Sequence, residues 1–379
     1  MKTLLFYPKL DCPVGCDYCF SDKSDIKVPY NKEKMIEACQ LVNRAHYRGE
    51  ERVILHGGEI FSIPNDDLTY FVEELSKIFN SISIQTSLSG LTDFHLDLVK
   101  RYKIRLGISV DGPPELNTLR GPRSPEKNKI YQDNLVNNMR IVKQEKITFG
   151  TISVLTKLNS TEDNINKLEN WILENEISGR FNPMFLPNWG RNTHLEKYEL
   201  TSEELKQMWL RLIELNKSEP HLDLNPTKEF SKNLLGDRLA PCIVCRCDYI
   251  STFCDMVAPD GETSRCDRCL QDGLYYIDPS VKSDSNFYRS YILKQTECKG
   301  CRYFEICGGG CPGEGVDGDF RRKTRFCSAY YGVYEKLESY LRAVPNITLS
   351  IDVPNYYEDH ILKGRPFFWA NKIRPYTRS

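Results

Sequence analysis

The chain has 379 residues, with 51 Lys and Arg against 52 Asp and Glu, for a formal net charge of −1. That balance argues against a nucleic-acid footprint over the whole protein, which needs a basic surplus. The length allows a sizeable core and two domains. No apolar run approaches the roughly 20 residues of a membrane span. The start, MKTLLFYPKLDC, holds two Lys, Lys2 and Lys9, and a short apolar run cut by Pro8, with no small-residue cleavage site. No signal peptide is expected, and a cytoplasmic location is.

Strand-like and helix-like runs alternate along the chain. A strand-like run, TLLFY (3–7), leads into Cys12, Cys16 and Cys19. EKMIEACQLVNRAHYRG then reads as a helix capped by Gly49, with Cys39 on its apolar face as a core residue. RVIL (52–55) leads into Gly57-Gly58-Glu59, and Leu68, Phe71, Val72 and Leu75 follow at helical spacing. SISIQ (81–85) leads into Ser87–Gly90, and IRLGISV (104–110) ends on Ser109-Val110-Asp111-Gly112. ITFGTISVL (147–155) precedes a capping box, Ser160-x-x-Asp163, with Ile165, Leu168 and Ile172 on one helical face. After GRFNPMF (179–185), a second capping box, Thr201-x-x-Glu204, opens a helix with Leu205, Met208, Trp209, Leu212 and Ile213 on one face. Beyond about residue 235 the texture changes to short pieces rich in Gly and Cys, and 328–345 reads as a last helix.

The alternation predicts an α/β fold with a parallel sheet and right-handed crossovers. Six βα units give a partial (β/α)6 TIM-like barrel over 1–235. A small cysteine-rich domain stapled by metals follows over 236–345, and then a C-terminal extension, 346–379. With a strand at the start, no leader-binding domain is expected ahead of the barrel. In parallel α/β folds the ligand site lies at the carboxyl ends of the strands. Four successive loops at that rim are polar or glycine-rich.

The cysteines sharpen the chemistry. There are 15, and in a reducing compartment dense cysteine indicates metal ligation or catalysis rather than disulfides. The C-x3-C-x2-C run of Cys12, Cys16 and Cys19 admits a disulfide with a spare thiol, a zinc knuckle, or three corners of a [4Fe–4S] cube with one iron open. Zinc sites favour paired C-x2-C spacings and a fourth protein ligand, and His46 and His56 have no usual spacing for one. The open cube is the preferred reading. A zinc ribbon from Cys266, Cys269, Cys298 and Cys301 has legal spacing but strands Cys307, Cys311 and Cys327.

CPVGCDYC, with Tyr18 before its last cysteine, resembles the cluster loop of the radical S-adenosylmethionine (SAM) enzymes, and HGGE (56–59) resembles their glycine-rich loop. The resemblance implies S-adenosyl-L-methionine as cofactor, with Gly57, Gly58 and Glu59 at its amino group. GISVDGPPELNTLRG (107–121) resembles a segment of the sulfatase-maturating and peptide-modifying members. It implies Ser109 and Asp111 at the ribose or carboxylate and Arg120 at the carboxylate. The third loop reads QTSLSGL where relatives often have Thr-Asn-Gly, and Ser87 is carried over as a ribose contact.

The cysteines from 247 to 327 resemble a SPASM domain, which holds auxiliary clusters, so that three [4Fe–4S] clusters are implied in all. Cys298, Cys301, Cys307 and Cys327 would hold the outer one. Cys247, Cys254, Cys266 and Cys311 would hold the inner one, leaving Cys242, Cys245 and Cys269 surplus. Asp267 is a candidate base, as an aspartate in that setting is in sulfatase-maturating relatives. The implied activity is hydrogen abstraction from a peptide by a 5′-deoxyadenosyl radical, ending in oxidative cross-linking or a related modification of a ribosomal peptide. Alternatives are sulfatase maturation, a small-molecule dehydrogenase, and an iron–sulfur or zinc-binding non-enzyme. The implied partners are a precursor peptide and a reductant such as flavodoxin or ferredoxin, with no nucleic acid and no membrane. The tail, 363–379, with five Lys/Arg and no acidic residue, reads as a packed or disordered terminus in preference to a clasp for an acidic peptide.

Overall fold

The computed structural model describes residues 3–19, 29–46, 51–185, 193–236, 254–264, 285–319 and 321–353. Strands and helices alternate through the first half: β1 (Thr3–Lys9), α1 (Lys32–His46), β2 (Arg52–Gly57), α2 (Asn65–Ile78), β3 (Ser81–Thr86), α3 (Asp93–Arg101), β4 (Arg105–Ser109), α4 (Pro125–Gln144), β5 (Phe149–Leu155), α5 (Glu162–Glu174) and β6 (Gly179–Pro183). Then come α6 (Ser202–Ser218), β7 (Leu224–Asn225), α7 (Thr227–Leu234), β8 (Cys254–Val257), β9 (Thr263–Ser264), α8 (Ser285–Gln295), α9 (Phe304–Cys307) and α10 (Cys327–Arg342).

The strands form one sheet in the order β7-β6-β5-β4-β3-β2-β1-β8-β9. Every pairing is parallel except β8 with β9. The six expected strands are all present. Two further strands flank them directly, with β9 beyond: β7, two residues long beside β6, and β8, which pairs with β1 from Thr3↔Cys254 to Phe6↔Val257 and antiparallel with β9. Neither is announced by its sequence, one being too short for a period and the other lying inside the cysteine-rich stretch.

The pleat divides the sheet into two faces. Leu4, Phe6, Val53, Leu55, Ile82, Ile84, Leu106 and Ile108 are buried in one core with the helices. That core takes in Leu68, Phe71, Val72 and Leu75 of α2, and Leu205, Met208, Trp209, Leu212 and Ile213 of α6. Burying each such side chain is worth roughly 1.5–3 kcal/mol. The alternate residues, Ile54, His56, Gln85, Gly107, Ser109, Ile152, Val154 and Asn182, face the other way and are only partly covered. The central strands are thus closed on one face and half-open on the other.

The Thr201 capping box forms as expected: Glu204 N donates to Thr201 Oγ1 (3.2 Å) and Thr201 N to Glu204 Oε2 (2.7 Å). The Ser160 box does not. Thr161 is the N-cap of α5, and Ser160 Oγ donates to Asn159 Oδ1 instead. The Asn159 side chain organises this turn, also accepting from Thr156 N and donating to Val154 O. Cys39 is fully buried within the core, as expected. The last helix, α10, packs on α6 and α7, with Tyr330 against Trp209 and Phe230, and Tyr334 edge-on to Phe230 at 4.8 Å. Gly49, the surplus cysteines Cys242, Cys245 and Cys269, and the basic tail lie outside the described residues.

Candidate active site and cluster-ligand loops

Cys12, Cys16 and Cys19 follow the carboxyl end of β1, and each is half-buried. The loop is pinned by Asp17 N donating to Leu119 O (2.9 Å) and by Cys19 N donating to Cys16 O (3.2 Å). Burial pushes the Cys12 thiol up to about 11, opposed by the N–H groups of Val14 and Gly15 aimed at its sulfur. The Cys16 thiol is also raised by burial, against the pull of the Arg120 guanidinium and of Gly121 N–H. Donors and a cation turned toward sulfur stabilise its anionic form, the form that binds iron. The donor set therefore fits an iron–sulfur cluster.

The HGGE loop lies directly against this one. A Cβ at Gly57, whose φ is +123°, would meet Lys9 O at 2.2 Å, and a Cβ at Gly58 would meet Asp11 O at 1.9 Å. The two glycines thus let the end of β2 press onto the backbone that enters the cysteine loop, where Gly58 N donates to Lys9 O (2.7 Å). Glu59 is buried and turned toward β3. Its carboxylate accepts from Phe61 N (3.0 Å), Thr86 Oγ1 (2.5 Å), Ser87 N (2.8 Å) and Ser87 Oγ. Burial raises its pKa and these donors oppose the rise. Glu59 and Ser87 are therefore joined to each other.

Asp111 and Arg120 form a buried ion pair. Asp111 Oδ1 accepts from Arg120 Nη2 (2.8 Å) and Val154 N (2.8 Å), and Oδ2 accepts from the Tyr18 hydroxyl. The guanidinium also lies over the Tyr18 ring, 5.4 Å from its centroid. Burial disfavours the Arg120 charge, but Asp111, Tyr18 and Cys16 outweigh that and hold it ionised. Ser109 accepts from Gln85 Nε2 (2.8 Å) on the half-open face. Three residues not anticipated from sequence complete the network. Asn117 accepts from Asp111 N and donates to Gln132, Gln132 donates to Arg120 O, and Asn159 donates to Asp111 O. All are single buried amides in loops or on a mixed helix face, with no motif to signal them.

Four thiols of the second block come together. Cys298 is raised to about 11, first by burial and then by Cys327 and Cys301. Cys307 is raised to about 12, first by burial and then by Cys327, Cys298 and Cys301. These thiols come from the turn at 298–301, the end of α9 and the start of α10. Cys311 precedes a 3₁₀ turn, Pro312–Glu314, and is half-buried. Cys254 opens β8, whereas Cys247, Cys266 and Asp267 lie outside the described residues. Among the described residues, no three His, Cys, Asp or Glu side chains lie close enough to share a single metal ion. No described helix is long and apolar enough to cross a membrane.

The sequence model of the Radical SAM superfamily matches residues 8–172, which span both the cysteine loop and the HGGE loop. The chain carries a radical SAM domain. Among curated relatives, a cysteine-type anaerobic sulfatase-maturating enzyme of Clostridium novyi is 22% identical over 366 residues, covering 86% of this chain and 92% of the relative. An uncharacterized protein of Methanothermobacter thermautotrophicus is 26% identical over 216 residues, 56% of this chain and 78% of the relative. Among solved structures, native anSMEcpe with bound AdoMet and Cp18Cys peptide is similar with a TM-score of 0.71 at 17% identity, covering 89% of this chain and 98% of that one. Streptococcus suis SuiB bound to S-adenosylmethionine gives 0.59 at 14% identity, covering 85% and 76%. The radical SAM domain thus sits in a parallel α/β sheet of the expected class.

Proposed function

We propose that this chain is a radical SAM maturase that oxidises a peptide, forming a cross-link or related modification in a ribosomally synthesised substrate. The observation that carries the reading is the convergence at one rim of the Cys12/Cys16/Cys19 loop, its supporting ion pair, and the half-open face of the sheet. Cys12, Cys16 and Cys19 would hold a [4Fe–4S] cluster, with S-adenosyl-L-methionine at its open iron. When bound, and given one electron from an external reductant, the pair would supply radical chemistry able to take hydrogen from carbon.

The chain's own residues bind and orient. Gly57 and Gly58 fix how closely the second loop approaches the cysteine loop. Glu59 ties that loop to Ser87, and Asp111, Arg120 and Tyr18 lock the β4 loop onto it. Gln85 and Ser109, with His56 and Asn182, give the half-open face polar groups that can meet a peptide. Two auxiliary clusters, of one-electron accepting chemistry, are assigned to Cys298, Cys301, Cys307 and Cys327 and to Cys247, Cys254, Cys266 and Cys311. Asp267 is the candidate base for the proton that leaves on oxidation. A flavodoxin or ferredoxin is the candidate source of reducing electrons.

Support for a peptide substrate comes from the neighbours. One holds Cp18Cys peptide, and SuiB has been solved with its precursor peptide SuiA. Sulfatase maturation is the second reading, favoured by the long alignment with the Clostridium novyi enzyme. The test is turnover with S-adenosylmethionine and a strong reductant. Anaerobically reconstituted protein should carry about 12 Fe, the sum of three [4Fe–4S] clusters, and should release 5′-deoxyadenosine. The Cys12/Cys16/Cys19→Ala variant should lose about a third of the iron and all cleavage. Mass spectrometry then separates the readings: a cross-link removes two hydrogens, whereas sulfatase maturation replaces a cysteine thiol with an aldehyde. Stoichiometric zinc without iron would sink both.

A further inference from the structure

Arg289, on α8, is a buried arginine whose guanidinium spans four backbone carbonyls. Nη1 donates to Gly308 O (3.3 Å) and Gly310 O (3.2 Å), and Nη2 donates to Gly309 O (3.2 Å) and Arg322 O (2.7 Å). The three glycines are the whole of the link between Cys307 and Cys311. Each is left-handed, with φ of +58°, +87° and +73°. A Cβ on Gly309 would meet Leu293 Cδ1 of the same α8 at 2.5 Å, and one on Gly310 would meet Thr324 Cγ2 at 2.4 Å. The link is therefore pressed between α8 and the segment that leads to Cys327. Thr324 N donates to Gly309 O (2.8 Å) and Gly310 N to Cys307 O (3.0 Å).

We propose that Arg289 is a positioning residue for the outer iron–sulfur centre: it fixes the link between Cys307 and Cys311 and supplies a buried positive charge that raises that centre's reduction potential. The inference rests on the reading that Cys298, Cys301, Cys307 and Cys327 hold a cluster. Geometry brings Arg289 to those thiols: it holds the carbonyls of Gly308, Gly309 and Gly310, which directly follow Cys307, and the carbonyl of Arg322 in the segment that leads to Cys327. One-electron reduction adds a negative charge to the centre. A fixed cation beside the centre favours the reduced form, and more so where water is excluded. The fork is as important as the charge. A lysine ammonium is a point donor and cannot span four carbonyls.

The experiment is a redox titration followed by electron paramagnetic resonance on the anaerobically reconstituted full chain. The outer centre is identified as the signal that Cys298→Ala removes. Arg289→Gln should move its midpoint to a more negative potential, with Arg289→Lys between it and wild type. A chelator should strip its iron faster from both variants. A wild-type midpoint in Arg289→Gln would overturn the inference even if melting temperature fell, since a merely structural arginine would lower stability alone. If Arg289→Gln cannot be reconstituted, Arg289→Lys carries the test, and a wild-type midpoint and stripping rate there overturn it equally. If wild type shows no signal that Cys298→Ala removes, the four-thiol assignment itself is wrong, which is a distinct result.

Discussion

Removing Asp111 is expected to cost more than any other single change at the rim. Its carboxylate is buried and accepts from Arg120, Val154 N and Tyr18. Asp111→Ala would leave the Arg120 guanidinium, itself only 7% exposed, charged and without its carboxylate. Breaking a buried pair from one side costs about 3–5 kcal/mol. The orphaned Val154 and Tyr18 donors are each worth about 1–3 kcal/mol, although the losses share a relaxed site and do not sum. Asp111→Ala/Arg120→Met, which removes both charges, should cost less than Asp111→Ala alone, because a hydrophobic replacement of a buried pair is often close to neutral. The assay is urea unfolding of the metal-free protein under anaerobic, reducing conditions, for wild type, both single variants and the double. A coupling energy below about 0.5 kcal/mol would mean that the two residues act independently. The network drawn between the cysteine loop and β4 would then be wrong.

Gly58→Ala places a Cβ where Asp11 O lies, 1.9 Å away. It should displace the cysteine loop and lower iron content by about the four Fe of the cluster proposed for that loop, measured by iron assay on reconstituted protein. Burial depresses the pKa of His95 from 6.5 to about 4. A depressed folded pKa favours the neutral form, so its contribution is intact above about pH 6.5 and is lost as pH falls toward 4. The full effect is about 3 kcal/mol. Urea midpoints between pH 7 and 4 should fall more steeply in wild type than in His95→Phe, and equal slopes would refute this. A folded Cys298→Ala variant should still release 5′-deoxyadenosine while the ratio of modified peptide to 5′-deoxyadenosine drops. An unchanged ratio, read by mass spectrometry, would make the outer centre structural.

The barrel was legible because its signals are local. Strands of five to seven residues with buried alternate positions, and helices with apolar residues three and four apart, carry their own period. The capping box at Thr201 carries its own geometry, whereas the pattern at Ser160 was outcompeted by the amide of Asn159, which no spacing rule anticipates. The cysteine and glycine motifs located the rim. They could not reveal that the glycines lie against Lys9 and Asp11, nor that Glu59 binds Ser87 and Asp111 binds Arg120. Those pairings join residues 28 and 9 positions apart, across loops whose folding depends on the strands beneath. The second cysteine block was legible as a set of spacings. Its scaffold was not, because Arg289 lies in α8 and acts on carbonyl groups, which leave no mark in a sequence.

The pairing of β8 with β1 ties the strand that carries the cysteine loop to a segment about 250 residues later. At a synthesis rate of about 5–20 residues per second, β1 would have emerged with its outer edge bare for about 10–50 s before β8 existed to cover it. An uncovered strand edge invites pairing with other chains. The loop bearing Cys12, Cys16 and Cys19 also hangs from that same strand, so it gains its final anchorage late. Iron delivered before that point would meet a loop already pinned by Leu119 and Asp111 but carried on a strand whose other edge is bare, so loading is best timed after the ribosome has passed the second half of the message. Expression that slows growth while iron is plentiful should accordingly favour fully loaded protein over rapid production.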